Sequence, residues 1–157
     1  MKTEQIIDVV RDYLDDEGLK YNFNAERNVI RLGFNLKCRL KEVELFVKIK
    51  EDYYLVQAEV PLNGDPKDLG ELLKYLAMAN FGLIVGNFEI DVEDGQVRYK
   101  TYVPCEDLEQ LPKPIIEESL FCPCRMFDKY GNGIAALAMG FSDAETEYRK
   151  VHPKEED

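Results

Sequence analysis

Two thiols separated by a single proline, Cys122-Pro123-Cys124, come closest in type and spacing to a chemical motif. Such a pair could hold a soft metal or cycle between thiol and disulfide. The usual spacing is C-x-x-C with a second pair elsewhere, and the chain offers neither. Cys124 also falls on an apolar helical stripe, so a buried core cysteine is the simpler reading. One histidine, His152, stands beside Pro153 near the carboxy terminus, which argues against a histidine-based triad or a multi-histidine metal site. The 31 acidic residues provide many carboxylates, but no spacing singles out an acid–base pair. Gly82, Gly86, Gly131 and Gly133 match no phosphate loop with its lysine and read as turns and stops. No catalytic residue, metal ligand or cofactor site is assigned, and a non-enzymatic protein is expected.

Charge narrows the partners. The formal net charge of -11, from 31 acidic against 20 basic residues, repels a phosphate backbone, and no basic run offsets it. Nucleic acid is therefore not the expected partner. The amino-terminal MKTEQIIDVVRD lacks the apolar core of a secretory signal, and no apolar run approaches the ~18 residues of a membrane span. With four cysteines at no scaffold-like spacing, the expectation is a cytoplasmic protein with reduced thiols and no membrane partner.

The elements that would position any functional group follow from periodicity. Ile6, Val9, Val10, Tyr13 and Leu14 share one face of a helix from Thr3 to about Glu17, ended by Gly18. Residues Val29–Leu36, Val43–Ile49 and Tyr54–Val60 alternate apolar and polar, as half-buried strands do. A turn at Glu51-Asp52 sets Ile49 opposite Tyr54, Val47 opposite Val56, Leu45 opposite Ala58 and Val43 opposite Val60. A turn near Cys38-Arg39 sets Phe34 opposite Val43 and Leu32 opposite Leu45. Every inward row is apolar, which predicts an antiparallel meander with one wet face. Phe46, Tyr53 and Leu55 are the apolar exceptions on that face and the candidate protein-binding residues. Phe46, near Gly33 and opposite Arg31, has a structural reason of its own in stacking on the guanidinium.

Asp65, Pro66 and the spacing of Leu69, Leu72, Leu73, Leu76 and Ala77 predict a second helix, capped by Asp65 and stopped at Gly82. A two-residue turn at Asp94-Gly95 would make a hairpin in which Val92 faces Val97, Ile90 faces Tyr99 and Phe88 faces Thr101. On its other side Asp91 faces Arg98 and Glu89 faces Lys100. After a bent connection, Ile116, Leu120, Cys124 and Phe127 mark a helix from Pro114, kinked by Pro123 and interrupted at Gly131-Asn132-Gly133. Ser142-Asp143-Ala144-Glu145 has the form of a capping box, with Glu145 and Arg149 at i,i+4 on a short polar helix. Residues 152–157 read as a disordered acidic tail behind a single domain of residues 1–151.

With NFGLIVGNFEIDVEDGQVRYKTYV following a helix, this order resembles the YbjN-like family of bacterial proteins. That family carries Asn at the helix end and a Gly-Phe-x-x-Asp-x-x-Asp-Gly-x-Val-x-Tyr type of hairpin. The matching positions are Asn80, Gly86, Phe88, Asp91, Asp94, Gly95, Val97 and Tyr99, with Asn87 inserted between Gly86 and Phe88. The resemblance runs from the first helix to about Met139. It implies the fold of the type III secretion chaperones, no catalytic residue, and a regulatory or chaperone-like binding role.

The sequence thus predicts an α+β domain of order α-β-β-β-α-β-β-α, a five-stranded curved antiparallel sheet with helices on one face. The expected function is a non-enzymatic module that binds a protein or peptide segment, the alternative being a small-ligand sensor with an apolar pocket. A homodimer is expected because the carboxy-terminal third spreads Ile134, Leu137, Phe141 and other large apolar residues around more than one helical face.

Overall fold

Alternation of apolar and polar residues builds the centre of the molecule. In a computed structural model, which describes residues 1–155, the elements are α1 (Thr3–Asp16), β1 (Asn22–Asn24), β2 (Val29–Asn35), β3 (Glu42–Lys50), β4 (Tyr53–Asn63), α2 (Gly70–Asn80), β5 (Asn87–Ile90), β6 (Gln96–Pro104), α3 (Lys113–Ala138) and α4 (Ala144–Val151). The sheet is antiparallel in the order β1-β2-β3-β4-β6-β5. It therefore has six described strands instead of the expected five. The extra one, Asn22-Phe23-Asn24, is too short and polar to show alternation, and it pairs with β2 at the edge.

Leu32 lies opposite Leu45, Phe34 opposite Val43, Ile49 opposite Tyr54, Val47 opposite Val56 and Leu45 opposite Ala58, as the apolar rows require. The β5–β6 hairpin is shifted by two residues from the expected register: Ile90 faces Val97, Phe88 faces Tyr99 and Glu89 faces Arg98. The connection is a wider loop, in which Asp91 accepts from the Gly95 N–H at 2.7 Å and donates to the Gln96 carbonyl at 2.9 Å. A two-residue shift leaves every side chain on its expected face, so Phe88, Val97 and Tyr99 are buried while Val92 is left exposed in the loop. Glu89 takes both basic partners, Lys100 at 2.8 Å and Arg98 at 3.4 Å, and Asp91 takes neither.

The helices cover one face, with α1 against β3 and β4, and α3 against β4 and β6. Buried residues of the helices and sheet form one contiguous cluster around Tyr54, Tyr75, Tyr99, Phe127 and Leu120. The second helix starts at Gly70, later than expected. Asp65 instead closes a turn, its carboxylate accepting from the Lys67 N–H at 2.9 Å. Tyr75 and Ala79 complete its buried stripe, and Leu73 faces outward.

Neither expected break in α3 occurs. Pro123 cannot donate to the Ser119 carbonyl one turn back, and the buried Thr101 hydroxyl of β6 donates to it instead, at 2.8 Å. Gly131 and Gly133 are helical because neighbours need the space: a Cβ on Gly131 would lie 2.5 Å from Cys38 Sγ, and one on Gly133 would lie 2.5 Å from Tyr75 Cζ. In α4 the cap is Asp143, which accepts from the Thr146 N–H at 2.9 Å, and Glu145 pairs with Lys154 at 3.9 Å, not with Arg149. His152 is not the start of a loose tail. Its Nε2 lies 2.7 Å from the Tyr130 hydroxyl, and its ring packs 4.8 Å from Tyr148. The last two residues of the predicted tail lie outside the described residues.

Candidate protein-binding face

The four cysteines lie in the core or pack against it. Cys122 is buried, with Sγ 3.5 Å from the Val85 carbonyl and 3.9 Å from the Tyr99 hydroxyl. Cys124 donates along α3 to Leu120 at 3.6 Å, and burial, followed by the charge of Asp128, pushes its thiol up to about 12. Burial likewise raises Cys38, Cys105 and Cys122, so all four cysteines hold protonated thiols at neutral pH. No group of three or more His, Cys, Asp or Glu side chains is placed to hold a metal among the described residues. Tyr54, Tyr75 and Tyr99 are raised by burial and hold internal hydrogen bonds to Ser119 Oγ, the Tyr130 carbonyl and the Val85 carbonyl.

The face of the sheet that no helix covers can be read row by row from the pairing. One row is Lys50, Tyr53 and Pro104; the next is Val29, Lys48, Leu55 and Tyr102; the third is Asn22, Arg31, Phe46, Gln57, Lys100 and Asn87; the fourth is Gly33, Glu44, Glu59, Arg98 and Glu89. Two of the three predicted residues are therefore neighbours, joined by a residue that was not predicted: Tyr102 is the cross-strand partner of Leu55, and its ring lies 5.5 Å from that of Tyr53. Phe46 lies diagonally across from Leu55, under the Arg31 guanidinium 5.7 Å from its ring centre. Arg31 in turn pairs with Glu44. Phe46 thus has the local partner that its sequence neighbours imply.

The apolar surface continues past the sheet. Ile84 and Val85 share a surface depression with Lys100 and Tyr102. Ile84 is 97% exposed, Phe81 95% and Tyr102 59%. These residues are missed by periodicity because Phe81–Val85 belongs to no element. A connection reading FGLIV is nonetheless unusually apolar, and that was the available signal. Tyr102 was missed because its contacts run through the β4–β6 pairing, which α2 separates in sequence.

The three predicted dimer residues do not share a surface. Ile134 is 0% exposed and Leu137 5%, both inside the core, whereas Phe141 is 76% exposed after the helix stop at Gly140. The covered face has more room than expected because α3 continues through its glycines. Phe141 instead lines a shallow recess with Met139, Ala136, Leu62, Pro61 and Arg39.

The described residues form an antiparallel sheet covered by helices on one face and open on the other, where Tyr53, Leu55 and Tyr102 make an apolar patch. The chain matches no protein-family model and no curated protein by sequence. Its fold is the YbjN-like, type III secretion chaperone-like fold. YbjN from E. coli, described as a candidate transcription regulator, superposes with a TM-score of 0.60 at 12% identity, over 85% of this chain and 92% of that one. A chain of the ExsC–ExsE complex superposes with a TM-score of 0.56 at 16% identity, over 85% of this chain and 96% of that one. No helix is long and apolar enough to cross a membrane among the described residues.

Proposed function

We propose that this chain is a non-enzymatic protein-binding module of the cytoplasm, a chaperone-like or regulatory adaptor that recognises a protein or peptide segment. The observation that carries this reading is the contiguous patch of Tyr53, Leu55 and Tyr102 on a sheet face that the protein's own helices leave open. The similarity to the fold of ExsC, solved as a complex with ExsE, supports it. A small-ligand sensor would need an enclosed apolar pocket with a few converging polar groups. A recess that opens on the sheet face instead carries charged Arg31, Glu44 and Glu59 in its wall. The exposed Phe141 and Met139 recess is the surface we assign to self-association as a homodimer.

Affinity capture from native cytoplasm, with mass spectrometry of co-eluting proteins and extracted small molecules, tests the reading. The expected result is a stoichiometric protein that Leu55→Asp and Tyr102→Asp release. A small molecule as the sole stoichiometric companion would overturn it.

A further inference from the structure

The open sheet face is divided by charge along its strands. At the end near the β3–β4 turn, Lys50 stands beside Tyr53 and Lys48 beside Leu55, with Lys100 one row further in. At the other end the same face presents Glu42, Glu44 and Glu59. Glu44 is matched by Arg31, and Lys100 by Glu89. Lys48 and Lys50 make no ion pair among the described residues, nor do Glu42 and Glu59. On a protein of net charge -11, two lysines without an ion-pair partner among the described residues flank Tyr53, Leu55 and Tyr102.

We infer that this half of the face binds a partner segment combining apolar anchors with carboxylates, the carboxylates meeting Lys48 and Lys50 and the anchors covering Leu55, Tyr53 and Tyr102. The inference rests on the protein-binding reading above and specifies its partner. Apolar contact supplies the affinity, and the unpaired lysines set the sign of the charge that is accepted. A second copy of this chain fits the face poorly. A two-fold that stacks the lysine-flanked rows of two copies on each other brings Lys48 and Lys50 near their own symmetry mates, and one that sets those rows against Glu42, Glu44 and Glu59 places carboxylates over Leu55 and Tyr102. Extension of the sheet by an added strand is also disfavoured at β5, because the Asn80 side chain already occupies the Phe88 N–H and carbonyl on that edge.

The test is selection of a random 12-residue peptide library on the intact protein, on Leu55→Asp, and on the double variant Lys48→Glu with Lys50→Glu. Circular dichroism confirms that each variant is folded, and the double charge reversal changes only surface side chains. The expected outcome is enrichment of peptides carrying Asp or Glu among Leu, Ile or Phe on the intact protein. Leu55→Asp should weaken those peptides at least tenfold, and the double variant should move the enrichment toward Lys and Arg. Peptides enriched in basic residues on the intact protein, or acidic peptides whose binding neither variant changes, would overturn the inference while leaving protein binding standing. Failure to enrich any peptide would overturn both.

Discussion

The side chain of Asn80, the last residue of α2, makes two hydrogen bonds to one residue of the edge strand. Its Oδ1 accepts from the Phe88 N–H at 2.8 Å, and its Nδ2 donates to the Phe88 carbonyl at 3.0 Å. An edge strand's outward amides are a template for pairing with another chain, and here a carboxamide takes the place of the missing strand. It also fixes the helix against the sheet, with Phe88 packed edge-on against Tyr99, Phe127 and Tyr130.

Asn80→Ala should therefore destabilise the fold by about 1–3 kcal/mol, the range for leaving part-buried backbone groups without partners. It should also promote concentration-dependent association through β5. Urea denaturation and light scattering read the two effects, and unchanged stability would mean that the two bonds contribute nothing net.

The Thr101 hydroxyl supplies the hydrogen bond that Pro123 withholds from the Ser119 carbonyl. Thr101→Val should cost about 1–3 kcal/mol. Pro123→Ala restores a helical N–H to the same carbonyl, so the double variant should be more stable than the sum of the single changes predicts. Strict additivity in a double-mutant cycle would refute the connection.

Gly133→Ala puts a methyl group into the Tyr75 ring and should cost about 1–3 kcal/mol by overpacking. Gly95→Val should be at least as damaging, because Gly95 has φ +77° and its missing Cβ faces the Gly64 backbone. Gly70→Ala, whose new methyl meets open space, is the control and should be neutral or stabilising in the same denaturation assay.

Burial first, then the charges of Lys129 and Arg149, lowers the His152 pKa below its ordinary value. The folded state therefore binds fewer protons at this site than the unfolded chain. The stabilisation is fully present above the ordinary histidine value of about 6.5 and is lost as pH falls through the folded value. The imidazole resonance, unique because the chain has one histidine, should titrate below that of a short peptide. The stability difference from His152→Gln should shrink on acidification from pH 7 to 5. A titration at or above the peptide's would overturn the assignment.

For self-association, sedimentation equilibrium at micromolar concentration should show a mass near twice the 18.2 kDa of one chain. Phe141→Glu should return it to a single chain that is still folded by circular dichroism, since the side chain is largely exposed within one chain. Leu137→Glu would unfold the core and test nothing about the interface. A monomer at that concentration excludes the dimer.

The meander was legible because strands β2 to β4 are joined by short turns, so alternation and loop length fix one register: Leu32 on Leu45, Ile49 on Tyr54. In the β5–β6 hairpin the face of each residue was legible but its partner was not, because Asp94-Gly95 reads as a two-residue turn while Asp91 opens a wider loop. Pro123 and Gly133 were misread for a different reason. Local chemistry makes them helix breakers, and the groups that overrule it, Thr101 and Tyr75, lie far away in sequence. Of the candidate site, Tyr53 and Leu55 stood out as breaks in alternation. Tyr102 became their neighbour only through the pairing of β4 with β6.

The turn between β2 and β3 has a further consequence for the order of assembly. The Asp128 carboxylate accepts from the Lys37 and Cys38 N–H groups at 2.7 and 3.2 Å, and the Asn132 side chain accepts from the Arg39 N–H at 2.9 Å. Three successive amides of an early hairpin are thus satisfied by one helix whose acceptors lie 90 to 93 residues later in the chain. While the protein is being synthesised, that turn faces water until residue 132 has left the ribosome and α3 has formed. The first strands to emerge are completed by nearly the last helix, which makes the closing of this turn a late event in folding and binds the two halves of the chain into one cooperative unit.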